Sequence, residues 1–95
     1  MRISPYLQNL FKQIVSDKLP NAHIILFGSR VYDNKFGGDF DLAIKGNFKE
    51  RDFKNMQTYF FKQLLLKDLD LPIDLINYNQ TNGLFKQEIN KGVEL

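Results

Sequence analysis

The sequence predicts an α/β (α+β) fold, a small mixed β-sheet with flanking helices, in the order α-β-β-α-β-α. Three observations predict it. Apolar residues recur at helical spacing in three stretches, short apolar or alternating segments lie between them, and glycine, proline or asparagine stands at the junctions. Three strands of this size must share one sheet, and the amphipathic helices must bury their apolar stripes on it.

The elements follow in chain order. Ser4 reads as an N-cap with Pro5 at the first helical position. Leu7, Leu10, Phe11, Ile14 and Val15 then form one apolar face, and Leu19-Pro20-Asn21 ends the helix. "AHIILF" (22–27) is short, apolar and followed by glycine, which suits a buried strand. A glycine-rich turn covers residues 28–38, in which Asp33 reads as a turn residue. "DFDLAI" (39–44) alternates, with Phe40, Leu42 and Ile44 on one face and Asp39, Asp41 and Ala43 on the other. Residues 50–67 read as a second helix whose stripe is Phe53, Met56, Phe60 and Leu64; spaced this way, they are core. "LPIDLINY" (71–78) is a third strand, and Pro72 is tolerable at its start. Asn82 to Lys91 closes the chain as a short helix that buries Phe85 and Ile89 and is stopped by Gly92.

Composition bounds the function. At 95 residues the chain is expected to form one domain, residues 1–95, burying about two-thirds of its unfolded surface. A hydrophobic share of 43%, with nine Phe, supports one core and excludes a disordered or fibrous chain. The net charge of +2 comes from scattered lysines without a basic run, the pattern of a solvated surface rather than of direct nucleic-acid binding. With no cysteine, disulfides and thiolate metal sites are excluded. The N-terminus lacks the apolar core of a signal peptide and no apolar run approaches membrane-spanning length, so the expected location is cytoplasmic. Lone His23, beside an apolar strand, reads as structural.

The chemistry concentrates in "FGSRVYDNKFGGDFDLAI" (27–44). In a strand, residues i and i+2 point to the same side about 6.5–7 Å apart, so Asp39 and Asp41 can converge on one or two hard cations. Oxygen ligands without His or Cys favour magnesium or manganese over zinc. Asp74 interrupts an apolar strand between Ile73 and Leu75. If that strand lies beside the first two aspartates, three carboxylates meet on one face, which is unfavourable unless cations join them. Gly28 permits close approach of a phosphate to the backbone, and the Ser29 hydroxyl can donate to it. Arg30 fits either a surface salt bridge or a phosphate contact, and Lys35 could also reach a phosphate.

Hydrophobic-Gly-Ser, a short loop, Asp-hydrophobic-Asp-hydrophobic and a lone Asp on a later strand resemble the signature of the DNA-polymerase-beta-like nucleotidyltransferase superfamily. Size and the segments "FGSR", "GDFDLAI" and "PIDLI" are similar to its minimal nucleotidyltransferase (MNT) branch, antitoxins encoded beside HEPN-domain ribonuclease toxins. The resemblance covers roughly residues 20–92 and implies the polymerase-beta-like nucleotidyltransferase fold. It implies that Asp39 and Asp41 hold two Mg2+ ions (Mn2+ being the alternative) and that Asp74 completes one metal site and helps activate the acceptor hydroxyl. Gly28, Ser29 and Arg30 would bind the triphosphate of ATP. Gly37-Gly38 departs from the family, whose members often carry Ser or Thr before the first Asp, and is expected to loosen the turn.

By the same resemblance, the expected reaction is type VII-like: AMP moves from ATP to a tyrosine of a HEPN toxin and silences it. Two alternatives stay open at this point, a binding-only antitoxin that occludes the toxin and nucleotidyl transfer to a small molecule. The second normally requires an acceptor-binding domain, for which these 95 residues leave little room.

Overall fold

The computed structural model describes residues 3–31 and 38–95. Asp33, Lys35 and Gly37, singled out in the sequence, lie outside the described residues. Helix α1 spans Pro5–Lys18, and its start follows the predicted chemistry: the Ser4 hydroxyl accepts the Leu7 N–H at 3.1 Å, and Pro5 opens the first turn. Strand β1 (His23–Phe27) runs into a 3-10 turn at Gly28–Val31, and β2 follows at Phe40–Lys45. Helix α2 (Glu50–Leu66) begins where the Asp52 carboxylate accepts the Lys49 N–H at 3.4 Å. It leads to β3 (Ile73–Asn77), a short 3-10 turn at Tyr78–Gln80, α3 (Gly83–Asn90) and β4 (Val93–Glu94).

The sheet order is β3-β2-β1-β4; β1 is antiparallel to β2 and β4, while β2 and β3 are parallel. A parallel pair needs a crossover, and α2 supplies it. The sheet is mixed, as predicted, but it has a fourth strand that the sequence pattern did not indicate. Two residues are too few to show alternation. Gly92 also has a different role from the one expected of it. It is not left-handed, so it is no glycine cap; a Cβ there would run into the Leu26 carbonyl oxygen and come within 2.9 Å of Ile25 Cγ2. Glycine lets the chain lie against β1 as it turns into β4.

Both helices on one face bury the stripes read from the sequence. Phe11, Ile14 and Val15 of α1 and Phe53, Met56, Phe60 and Leu64 of α2 meet Ile24, Leu26, Phe40, Leu42, Ile44 and Leu75 of the sheet. The Phe11 ring lies between Phe40 (5.8 Å, edge-on) and Phe60 (5.5 Å, tilted). Each such side chain contributes about 1.5–3 kcal/mol by leaving water. The Tyr59 hydroxyl, donating to Asp17 at 2.7 Å, ties the two helices at the surface.

The other face carries a smaller cluster: Ile25, Phe27, Ala43, Tyr78 and Ile89, with Ile76 beside it. Helix α3 covers it through Ile89. Phe85, predicted to be buried, is instead 45% exposed and meets the core through an edge contact with Phe27 at 5.9 Å. A helix of eight residues buries a narrow stripe, and Ile89 fills it. Among the described residues no helix is long and apolar enough to cross a membrane.

Candidate active site

Register brings the aspartates together. Asp41 pairs with Phe27 across β1–β2 and with Asp74 across β2–β3, so Phe27, Asp41 and Asp74 form one row across the sheet. Alternation does the rest: Phe40 and Leu42 point into the large core, so Asp41 between them points to the opposite face. On β3, Ile73 and Leu75 face that core and Asp74 faces away. The cluster therefore comes from two strands that share a buried face and a parallel register. Asp39 lies one residue ahead of the observed strand and is exposed.

The Asp41 carboxyl responds to its burial and to both of its acidic neighbours. Asp41 titrates above the ordinary carboxylate value, chiefly because burial disfavours its charged form. The charges of Asp74 and then Asp39 push it further, as does a side-chain hydrogen bond with Asp74. Two carboxyl groups can hydrogen-bond only when one of them holds a proton. A hard cation can take the place of that proton, which makes this donor set a fit for magnesium or manganese. The adjacency on which the sequence reading rested is present, with the Asp74 strand beside the Asp41 strand. Among the described residues no three His, Cys, Asp or Glu stand in metal-ligating geometry. Asp41 and Asp74 stand side by side in register, and Asp39 acts on Asp41 through its charge.

The turn after β1 closes on this row. Gly28 is left-handed (φ +78°), and a Cβ there would lie 2.5 Å from Asp41 Oδ2. Only glycine fits, on both conformational and steric grounds. Ser29, half-buried, directs its hydroxyl to Gly38, whose φ is +87° and whose Cβ, if present, would collide with Ser29 Oγ. Gly38 therefore does more than loosen the turn: with this backbone a serine or threonine would displace Ser29. Arg30 donates from Nε to the Gly38 carbonyl at 3.3 Å and lays its guanidinium over the Phe40 ring at 4.1 Å. It thus fastens the far side of the loop to the 3-10 turn, a use that neither sequence reading of Arg30 included.

All six candidate residues, Gly28, Ser29, Arg30, Asp39, Asp41 and Asp74, lie at this end of the sheet. His23 lies at the other end, where its Nδ1 is 2.9 Å from Glu94 Oε2 and links β1 to β4. The sequence reading missed two neighbours of the site. Phe27 walls Asp41 on the β1 side, for which the only signal was its place before Gly28. Gly38 supports Ser29, and the glycine pair before Asp39 was the available signal.

None of the curated proteins compared matches the chain. The family model "Polymerase beta, Nucleotidyltransferase" matches residues 9–95, from the middle of α1 through β4 and across every residue of the row and the turn. The mixed sheet, the Gly-Ser turn and the aspartates on adjacent strands fit that match, and the chain belongs to the polymerase beta nucleotidyltransferase family.

Proposed function

We propose that this protein is a magnesium-dependent adenylyltransferase, a type VII-like antitoxin that moves AMP from ATP to a tyrosine hydroxyl of a HEPN ribonuclease toxin. One observation carries the reading: Asp41 and Asp74 face each other in register, with the left-handed Gly28 turn against the Asp41 carboxylate. That arrangement packs a glycine turn directly against an acidic pair on adjacent strands. Family membership supports nucleotidyl transfer; the resemblance to the MNT branch supports AMP, the tyrosine and the toxin.

Asp39, Asp41 and Asp74 would hold the divalent ions, which neutralise phosphate charge and make the acceptor hydroxyl more acidic. The Gly28–Ser29 backbone and the Ser29 hydroxyl bind the phosphates and hold the α-phosphorus near Asp41. The acceptor oxygen bonds to the α-phosphorus as the bond to the bridging oxygen breaks. Pyrophosphate leaves and the acceptor proton passes to Asp74. Asp39 and Asp74 are exposed, which suits an acceptor brought by another protein.

The test is mass spectrometry of the purified toxin after incubation with this protein, ATP and magnesium. Additions of AMP mass on a tyrosine, absent with Asp39→Asn, are the expected result. Toxin neutralised without any mass change, and equally by Asp39→Asn, would replace this reading with occlusion by binding.

A further inference from the structure

Helix α3 ends beside the phosphate turn. Gly92 lies against the Leu26 carbonyl, which pins the segment after α3 onto the end of β1. A cavity of about 20 Å3 separates that segment from the 3-10 turn and is lined by Gly28, Val31, Glu88, Lys91 and Gly92. It holds one water-sized group, which is also the size of one phosphate oxygen. Lys91 thus borders the same small space as Gly28, although it is far from Gly28 in sequence.

Charge gives this placement a use. Asp39, Asp41 and Asp74 are acidic and a nucleoside triphosphate is strongly anionic, so the phosphate end needs cationic donors from the protein. Arg30 already donates to the Gly38 carbonyl and covers Phe40. Lys91, which caps the end of α3, is exposed, and its Nζ lies 3.1 Å from Glu88 Oε1 in the last turn of that helix. An exposed pair of this spacing is weak and screened by salt, so the ammonium can exchange partners readily.

We propose that Lys91 is a phosphate-binding residue of the nucleotide site, which leaves Glu88 to contact the terminal phosphates of a bound nucleoside triphosphate across the Gly28 turn. The inference rests on the nucleotidyltransferase reading above. Glu88 then acts as a competitor: it holds the ammonium while the site is empty and weakens binding by the amount needed to release it.

Calorimetry with magnesium and ATP, ADP or AMP tests this on wild type, Lys91→Gln and Glu88→Gln. Lys91→Gln should bind ATP about tenfold more weakly, the loss expected for one charge-assisted hydrogen bond. Its binding of AMP, which lacks the terminal phosphates, should be unchanged. Glu88→Gln should bind ATP about two- to threefold more tightly, since the lysine no longer has a carboxylate to leave. Thermal midpoints of both variants should match wild type, which separates a ligand contact from a role in the fold. Wild-type binding with ATP affinity unchanged in Lys91→Gln overturns the inference alone, as does an equal loss for ATP and AMP. Absence of ATP binding by wild type overturns the nucleotide reading and this inference together.

Discussion

The two faces of β2 divide the work of the molecule between alternate residues. Phe40, Leu42 and Ile44 are at most 3% exposed, and they lie under α1 and α2 in the large core. Asp41, between two of them, faces the opposite side and meets Asp74 and the Gly28 turn. One strand thus supplies apolar burial and a cluster of like charges that opposes folding. The period of two thus lets a small domain keep an unfavourable site. The core face can be optimised for packing without moving the carboxylates, provided the register holds.

The sharpest way to break the comparison is to change the faces one at a time. Asp39→Asn or Asp41→Asn should lower transfer by about a thousandfold or more, because charge stabilisation in the transition state is lost. The urea midpoint should not fall. Labelled-nucleotide transfer at the wild-type rate by either variant would remove the aspartates from the chemistry.

The converse change is Phe60→Ala on the core face. Phe60 is fully buried against Phe11, and its truncation should cost about 3–5 kcal/mol in urea unfolding. For a domain whose total stability is about 5–15 kcal/mol, that is a large share. A loss under about 1 kcal/mol would show that Phe60 does not hold the two helices to the sheet.

Acid titration sharpens the comparison on the polar face. The Asp41 pKa is raised in the folded protein above its ordinary value of 3.8, so the folded state binds that proton more tightly than the unfolded chain. Its contribution to stability is fully present below the ordinary carboxylate value and is lost as pH rises through the raised folded value. In chelator, the melting temperature of Asp41→Asn minus that of wild type should therefore increase from acidic to neutral pH. Magnesium with ATP should restore wild type by mass action, about 2.7 kcal/mol at a hundredfold excess over Kd, and less in Asp74→Asn. A difference that stays flat with pH would show that neither burial nor the charges of Asp74 and Asp39 raise the Asp41 pKa.

The smallest expected effect lies at the end of α2, under the core face. Asp68 is left-handed (φ 56°), and the Leu69 and Asp68 N–H groups bond the Leu64 and Leu65 carbonyls at 2.9 and 3.0 Å. This is a Schellman turn with aspartate where glycine is usual. Asp68→Gly relieves about 1 kcal/mol of strain and loses part of that gain to the greater entropy of the unfolded chain, for a net stabilisation of about 0.5 kcal/mol. Transfer activity should not change, since the residue lies on the other side of the sheet from the aspartate row. A destabilised variant would show that the Asp68 side chain itself holds the turn.

Features that act over a few residues were legible in the chain before any tertiary contact was known. The Ser4 cap, the Pro5 start, the helical stripes ending in Leu64 and the alternation around Asp41 were legible because each depends on near neighbours and a fixed period. The Gly-Ser and Asp-x-Asp segments were legible for the same reason, as compact chemistry on a turn and a strand start. Tertiary structure alone decided which strands pair and in what register. Asp74 meets Asp41 because α2 returns the chain parallel to β2 and the buried residues of both strands must share one face. Gly38 supports Ser29, Gly92 lies against Leu26, and Lys91 borders one cavity with Gly28 only after the sheet and α3 have closed. Local pattern selects the elements and the faces they present. Burial of those faces sets the long-range register, and the register assembles the site.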